Sequence, residues 1–252
     1  MGTVDIGIGA TATLSNFTND FALFDLPYLF TSKEQARQVL HSDWAKQKLS
    51  ELESLDMVGL TFWEAGMFDI IQSKRPVKEI SDFSGLTIRV MENDIFMATM
   101  TALGINPVPM AWSEVFTSIQ NGTVDGTSNP PVTIYTASIH TIAKNFTIAN
   151  MIYSPIPVIM SKSTYDTLPE DYQKLMYEAA EAASSVEYEL IDQMEAESLD
   201  AFKAEGTEVI YFTDEQIAEC QKIMKEQVWP AFVGGKVARA DIDAINDVIS
   251  NL

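Results

Sequence analysis

Four arginines occur in the chain, and one of them, Arg89, stands inside Leu86-Thr87-Ile88-Arg89-Val90. The alternation of this segment reads as a strand, with Leu86, Ile88 and Val90 on one face and Thr87 and Arg89 on the other. A guanidinium inside a strand that otherwise reads as core is costly unless an anion meets it. Its paired N–H groups match the two oxygens of a carboxylate in a charge-assisted, bidentate contact. On the residues alone two other readings stand beside this one: an internal salt bridge, or an edge strand with Arg89 in water. Trp63-Glu64 and Trp112 set large aromatics beside polar groups, as core or as platforms for a ligand.

Other combinations carry less. Gly7-Ile8-Gly9 after a short strand lacks the third glycine and the lysine of a phosphate-binding loop, so no nucleotide cofactor is implied. His140 and Cys220 have no third group to orient them, and Cys220 falls in an amphipathic stretch where it reads as a small core residue. Two histidines and one cysteine do not make the usual His- and Cys-rich zinc site, and no cofactor is expected. With 16 basic against 36 acidic residues the net charge is -20, which argues against nucleic acid and anionic membrane surfaces as partners.

The elements that would position these groups alternate along the 252 residues, which argues for an α/β fold. Strands are expected over residues 4–8, 57–62 and 86–90, with further strands over 147–161 interrupted by Pro155 and Pro157. Ser32, with Gln35 three residues on, opens a helix as a capping box. Residues 93–103 read as a helix stopped by Gly104, residues 113–120 as another, and 133–142 as a third. The clearest element runs from about Pro169 to Ala204, where Leu175, Ala179, Ala182, Val186, Leu190, Met194 and Phe202 recur at helical intervals as an apolar face. Such a helix is roughly 50 Å long at 1.5 Å per residue and outspans a small domain.

Several segments together resemble the DctP-type solute-binding proteins of TRAP transporters. They are Gly2-Thr3-Val4-Asp5, Phe24-Asp25-Leu26-Pro27-Tyr28-Leu29-Phe30, Ser73-Lys74-Arg75-Pro76 and Gly85-Leu86-Thr87-Ile88-Arg89-Val90. Ala102-Leu103-Gly104, Pro107-Val108-Pro109-Met110-Ala111-Trp112-Ser113-Glu114-Val115 and Val124-Asp125-Gly126-Thr127-Ser128-Asn129-Pro130 follow in order. The resemblance implies a two-lobed α/β periplasmic-binding-protein-like fold with a hinge and a long helix spanning both lobes. One lobe would hold residues 1–66 with 155–194, the other 67–154 with 195–252. It implies that Arg89 clamps a ligand carboxylate, that Trp112 packs on the ligand and that Asn129 hydrogen-bonds it. The implied partners are a small organic carboxylate and the membrane subunits of a TRAP transporter, and the implied location is periplasmic or extracytoplasmic.

Two departures accompany the resemblance. After the Trp63-Glu64-Ala65-Gly66 stretch, Phe68 (or Asp69) stands where relatives often carry a second arginine, so a second ligand carboxylate loses its expected partner. Relatives also have several tens of residues ahead of the Gly2-Thr3-Val4-Asp5 strand, so the true N-terminus is expected upstream, together with the signal peptide that is missing here. Two competing classes are an enzyme acting on a carboxylate (a lyase or hydrolase, with Glu64 as acid or base) and a ligand sensor for a receptor.

Overall fold

The computed structural model describes residues 4–251; Gly2 and Thr3 of the expected opening strand lie outside the described residues. Seven strands form one mixed sheet in the order β1-β6-β2-β5-β3-β4, with β7 also on β6. They are β1 (Ile6–Ile8), β2 (Met57–Gln72), β3 (Thr87–Val90), β4 (Asn106–Pro109), β5 (Gly126–Asn129), β6 (Asn145–Ser161) and β7 (Glu208–Tyr211). The antiparallel pair β2 and β6 forms the spine. At one end β6 carries β1 across residues Val158 to Met160, and at the other it carries β7 across Asn145 to Ile148. β5 joins β2 at Asp69 to Gln72, and β3 then lies parallel between β5 and β4.

β2 runs ten residues beyond the expected end at Phe62, because three register shifts against β6 bend the pair instead of ending it. The largest shift is at Asp69. Phe68 pairs with Ile152 and Ile70 with Thr147, so four residues of β6 oppose one of β2. Asp69 Oδ1 accepts the backbone N–H of Ala149 at 2.7 Å and of Asn150 at 2.8 Å, and Asn150 has φ 50°. Pro155 and Pro157 do not interrupt β6. They lie between the stretches paired with β7 and β1, where one edge of β6 has no neighbouring strand and a missing donor is tolerated.

The helices follow their local signals closely. Ser32 caps Lys33–Leu40 by accepting the Gln35 N–H at 3.1 Å, and Asn93 caps Asp94–Ala102 by accepting from Ile95 and Phe96. The expected helix over 133–142 splits into Pro131–Thr136 and a short turn Ile139–Thr141, broken at Ser138 with φ 57°. The long helix is Glu170–Ala204, entered from Pro169 without a side-chain cap. Its buried side chains are Ala180, Ser184, Tyr188, Ser198 and Phe202, whereas Leu175, Ala179, Ala182, Val186, Leu190 and Met194 face solvent. Of the expected apolar face, Phe202 alone is buried. The reason is close approach: Tyr188 donates to the Phe62 carbonyl at 3.1 Å and Ser184 Oγ lies 3.3 Å from Thr61 Oγ1, contacts that small and hydroxylated side chains allow. No described helix is long and apolar enough to cross a membrane.

Candidate functional site

β3 delivers Arg89 as its alternation predicts. Leu86, Ile88 and Val90 are buried in the core, and the strand is held at its start by Asp125, whose carboxylate accepts the Thr87 N–H at 2.8 Å. Arg89 is itself 3% exposed. Its Nε and Nη2 both donate to the Met110 carbonyl, at 2.9 and 2.7 Å, which fixes the plane of the fork. Nη1 is buried and has no partner. The guanidinium lies 5.4 Å from the ring of Trp112, which is 42% exposed. No acid among the described residues forms an ion pair with it. Burial therefore pulls its pKa down to about 10, opposed by the charge of Glu92. A buried cation with a fixed plane and an unused N–H has room for one more acceptor, in contrast to Arg37, which is saturated by Glu64 and Asp192.

β5 brings in the amide. Thr127 pairs with Arg89 across β3, and Asn129 pairs with Asp69 across β2. Thr127 donates its hydroxyl to Asn129 Oδ1 at 2.8 Å, which fixes the amide's acceptor and leaves Nδ2 as its donor. Thr127 was not singled out from sequence, although period-two alternation places it on the same face as Asn129. Asp69 was named only as an alternative to Phe68. Burial raises its carboxyl to about 7, against the two backbone N–H groups that hold it down.

Phe68 is 4% exposed and packs edge-on against Phe96 with centroids 5.0 Å apart. It lines a narrow crevice with Ala10, Thr11, Asp25, Met91 and Ser154, two residues beyond the strand position of Arg89. Asp25 is fully enclosed, accepts from Ser15 at 2.7 Å and Asn93 at 2.8 Å, and is raised by burial to about 7. The crevice wall thus offers aromatic rings and one buried acid, Asp25, rather than a second cation.

Glu64 and Trp63 are placed differently. Both Glu64 oxygens are taken by Arg37, one of them also by the Tyr153 hydroxyl in a very short hydrogen bond, and its N–H faces Glu187. Trp63 packs with Val58, Leu60 and Met176 beneath the long helix, with its indole N–H buried and unpartnered. Arg89, Trp112 and Asn129 therefore gather around β3 and β5, Phe68 lines a crevice that none of these three borders, and Glu64 is committed to an ion pair. Among the described residues no group of three or more His, Cys, Asp or Glu is arranged to hold a metal.

Residues 1–233 match the sequence profile of the bacterial extracellular solute-binding proteins, family 7 (DctP). The chain is 35% identical over 210 residues to the C4-dicarboxylate-binding periplasmic protein DctP of Rhodobacter capsulatus, covering 81% of this chain and 62% of that one. A solute-binding protein of Verminephrobacter eiseniae is 33% identical over 210 residues, covering 83% of this chain and 63% of the relative. The chain thus spans less than two thirds of the length of these relatives. Among solved structures, the sugar acid binding protein DctPAm of Advenella mimigardefordensis, in complex with galactonate, superposes with a TM-score of 0.93 at 26% identity, covering 99% of this chain and 80% of that one. A TRAP periplasmic solute-binding protein of Polaromonas bound to D-erythronate gives 0.88 at 31% identity, covering 97% and 79%. The mixed sheet and its cross-spanning helix are those of the two-lobed TRAP periplasmic binding proteins, and the chain belongs to the DctP family of bacterial extracellular solute-binding proteins.

Proposed function

We propose that this chain captures a small organic carboxylate outside the cytoplasm and hands it to the membrane subunits of a TRAP-type transporter, without chemical change. The observation that carries the reading is the unpartnered N–H of a buried Arg89 that forms no ion pair with a described acid. A ligand carboxylate supplies the missing acceptor, Asn129 adds a donor, and Trp112 covers the ligand body. Residues 1–66 with 155–194 form one lobe and residues 67–154 with 195–252 the other. The boundary crosses the spine where Gly66 pairs with Ser154, next to a register shift at which a bend is least costly. Closure follows because the ligand contacts both sides only in the closed form. An enzymatic role for Glu64 is disfavoured, since Arg37 and Tyr153 already occupy its oxygens.

The ligand is a monocarboxylate with an apolar, aromatic or hydroxylated body. A second carboxylate would meet Phe68 and the buried acid Asp25, and an unpaired buried charge costs several kcal/mol. Sugar acids are the ligands named for the Advenella and Polaromonas structures, whereas the Rhodobacter relative is named for C4-dicarboxylates. A thermal-shift panel of hydroxylated monocarboxylates against succinate and malate decides between them. Larger stabilisation by the monocarboxylates, with ligand recovered unchanged, is the expected result. Larger stabilisation by C4-dicarboxylates removes the specificity claim, and turnover removes the transport reading.

A further inference from the structure

The face of the long helix that looks away from the sheet is apolar along most of its length. Tyr172 is 58% exposed, Leu175 51%, Val186 56%, Leu190 51% and Met194 37%, and Ala179 and Ala182 between them are exposed too. At 1.5 Å per residue the stripe runs about 30 Å, the length of a partner helix of some twenty residues. Scattered surface apolar residues are ordinary, but a contiguous stripe marks a contact surface. Exposed Asp171, Glu178 and Glu189 form a row beside it, about 60–80° around the helix from Val186, with only Lys174 at its edge, paired to Glu178 at 3.5 Å. Stripe and acid row lie side by side on one face.

We propose that this face docks a cationic amphipathic helix of a partner protein. The partner's apolar side chains lie along the stripe from Tyr172 to Met194, and its lysines or arginines meet Asp171, Glu178 and Glu189. Charge selects this occupant over the others. A second copy of the chain brings another -20, and antiparallel pairing of two long helices sets each acid row against its twin. An anionic membrane is repelled by the same row. The surface is independent of the Arg89 site, so it stands or falls apart from the carboxylate reading.

The test uses the full chain and a fluorescent amphipathic peptide of leucine and lysine, eighteen residues long, with a counterpart carrying glutamate in place of lysine. The lysine peptide binds and the glutamate peptide does not. Val186→Asp with Leu190→Asp weakens binding at least tenfold, as does Glu178→Lys with Glu189→Lys. Glu219→Lys with Asp243→Lys changes the net charge equally on other helices and leaves binding within twofold. If the aspartate pair lowers the yield of folded protein, Val186→Ser with Leu190→Ser serves in its place, the positions being solvent-facing. Equal losses in the Glu219/Asp243 control, or undiminished binding in the stripe variants, overturn the proposal. So does sedimentation of the parent as a dimer that the stripe variants return to monomer.

Discussion

Replacing Arg89 by methionine separates its role in binding from its role in folding. Burial lowers its pKa from 12.5 to about 10, which corresponds to about 3 kcal/mol disfavouring the charged form in the folded chain. Because the folded pKa is the depressed one, that cost is present at every pH below about 10 and fades only above it. Opposing it are the two hydrogen bonds to Met110, which share one carbonyl and, at about 1.5 kcal/mol each for a charged donor, contribute about 3 kcal/mol together. The two nearly cancel, so Arg89→Met is expected to leave the stability of the ligand-free chain within about 2 kcal/mol of the parent. Ligand binding has no such compensation. Losing a buried charged contact costs about 2–5 kcal/mol, much of it from stranding the ligand carboxylate, or roughly 30- to 4,000-fold in affinity. Arg89→Lys recovers little, because a point charge cannot both hold Met110 and present a fork. Calorimetry with the best ligand of the panel, paired with urea unfolding, reads both quantities. Binding within threefold of the parent refutes the clamp, and a large loss of stability refutes the claim that the site's cation is held at a cost.

Asp69→Asn keeps an oxygen for Ala149 and Asn150 but removes the buried charge. A carboxyl raised to about 7 in the fold contributes stability that is complete below its unfolded pKa of about 4 and is lost as pH rises through 7. The variant should therefore melt above the parent at pH 8, with the gap closing toward pH 4; a gap that is constant or widens in acid counts against this account. Arg37→Leu strands Glu64 in the interior and should cost about 3–5 kcal/mol in urea unfolding, most of it recovered when Glu64→Leu is added. A loss below about 1 kcal/mol would mean that Tyr153 alone satisfies the carboxylate. Gly126→Ala puts a Cβ 1.9 Å from the Ile71 carbonyl oxygen and 2.7 Å from Gln72 Cα, prising β5 from β2. It should cost about 3 kcal/mol or more by thermal melting, and a neutral result would show that this strand pair can spread.

Local chemistry was legible in the sequence. Ser32 and Gln35 mark a helix start, Gly104 a helix end, and the alternation around Arg89 a strand, because each signal depends on residues a few positions apart. The length of the helix over Glu170–Ala204 was legible for the same reason, and the succession of short motifs carried the family. Which face of that helix meets the sheet was not. Periodicity grouped Leu175, Val186 and Leu190 at helical intervals, yet the face that meets the sheet carries Ala180, Ser184 and Tyr188, where contact is made by close approach and hydrogen bonding rather than by hydrophobicity alone. The extent of β2 was hidden as well, because it depends on Asp69 gathering a bulge of β6 about eighty residues away in sequence. A span of 89 residues separates Glu64 from Tyr153, and Arg37 approaches from a third segment. Whether a charged residue is a ligand group or half of an internal pair depends on what long-range packing brings within 3 Å of it. Packing gives Arg37 two carboxylates and gives Arg89 a carbonyl and a vacant N–H, a difference that no local pattern encodes.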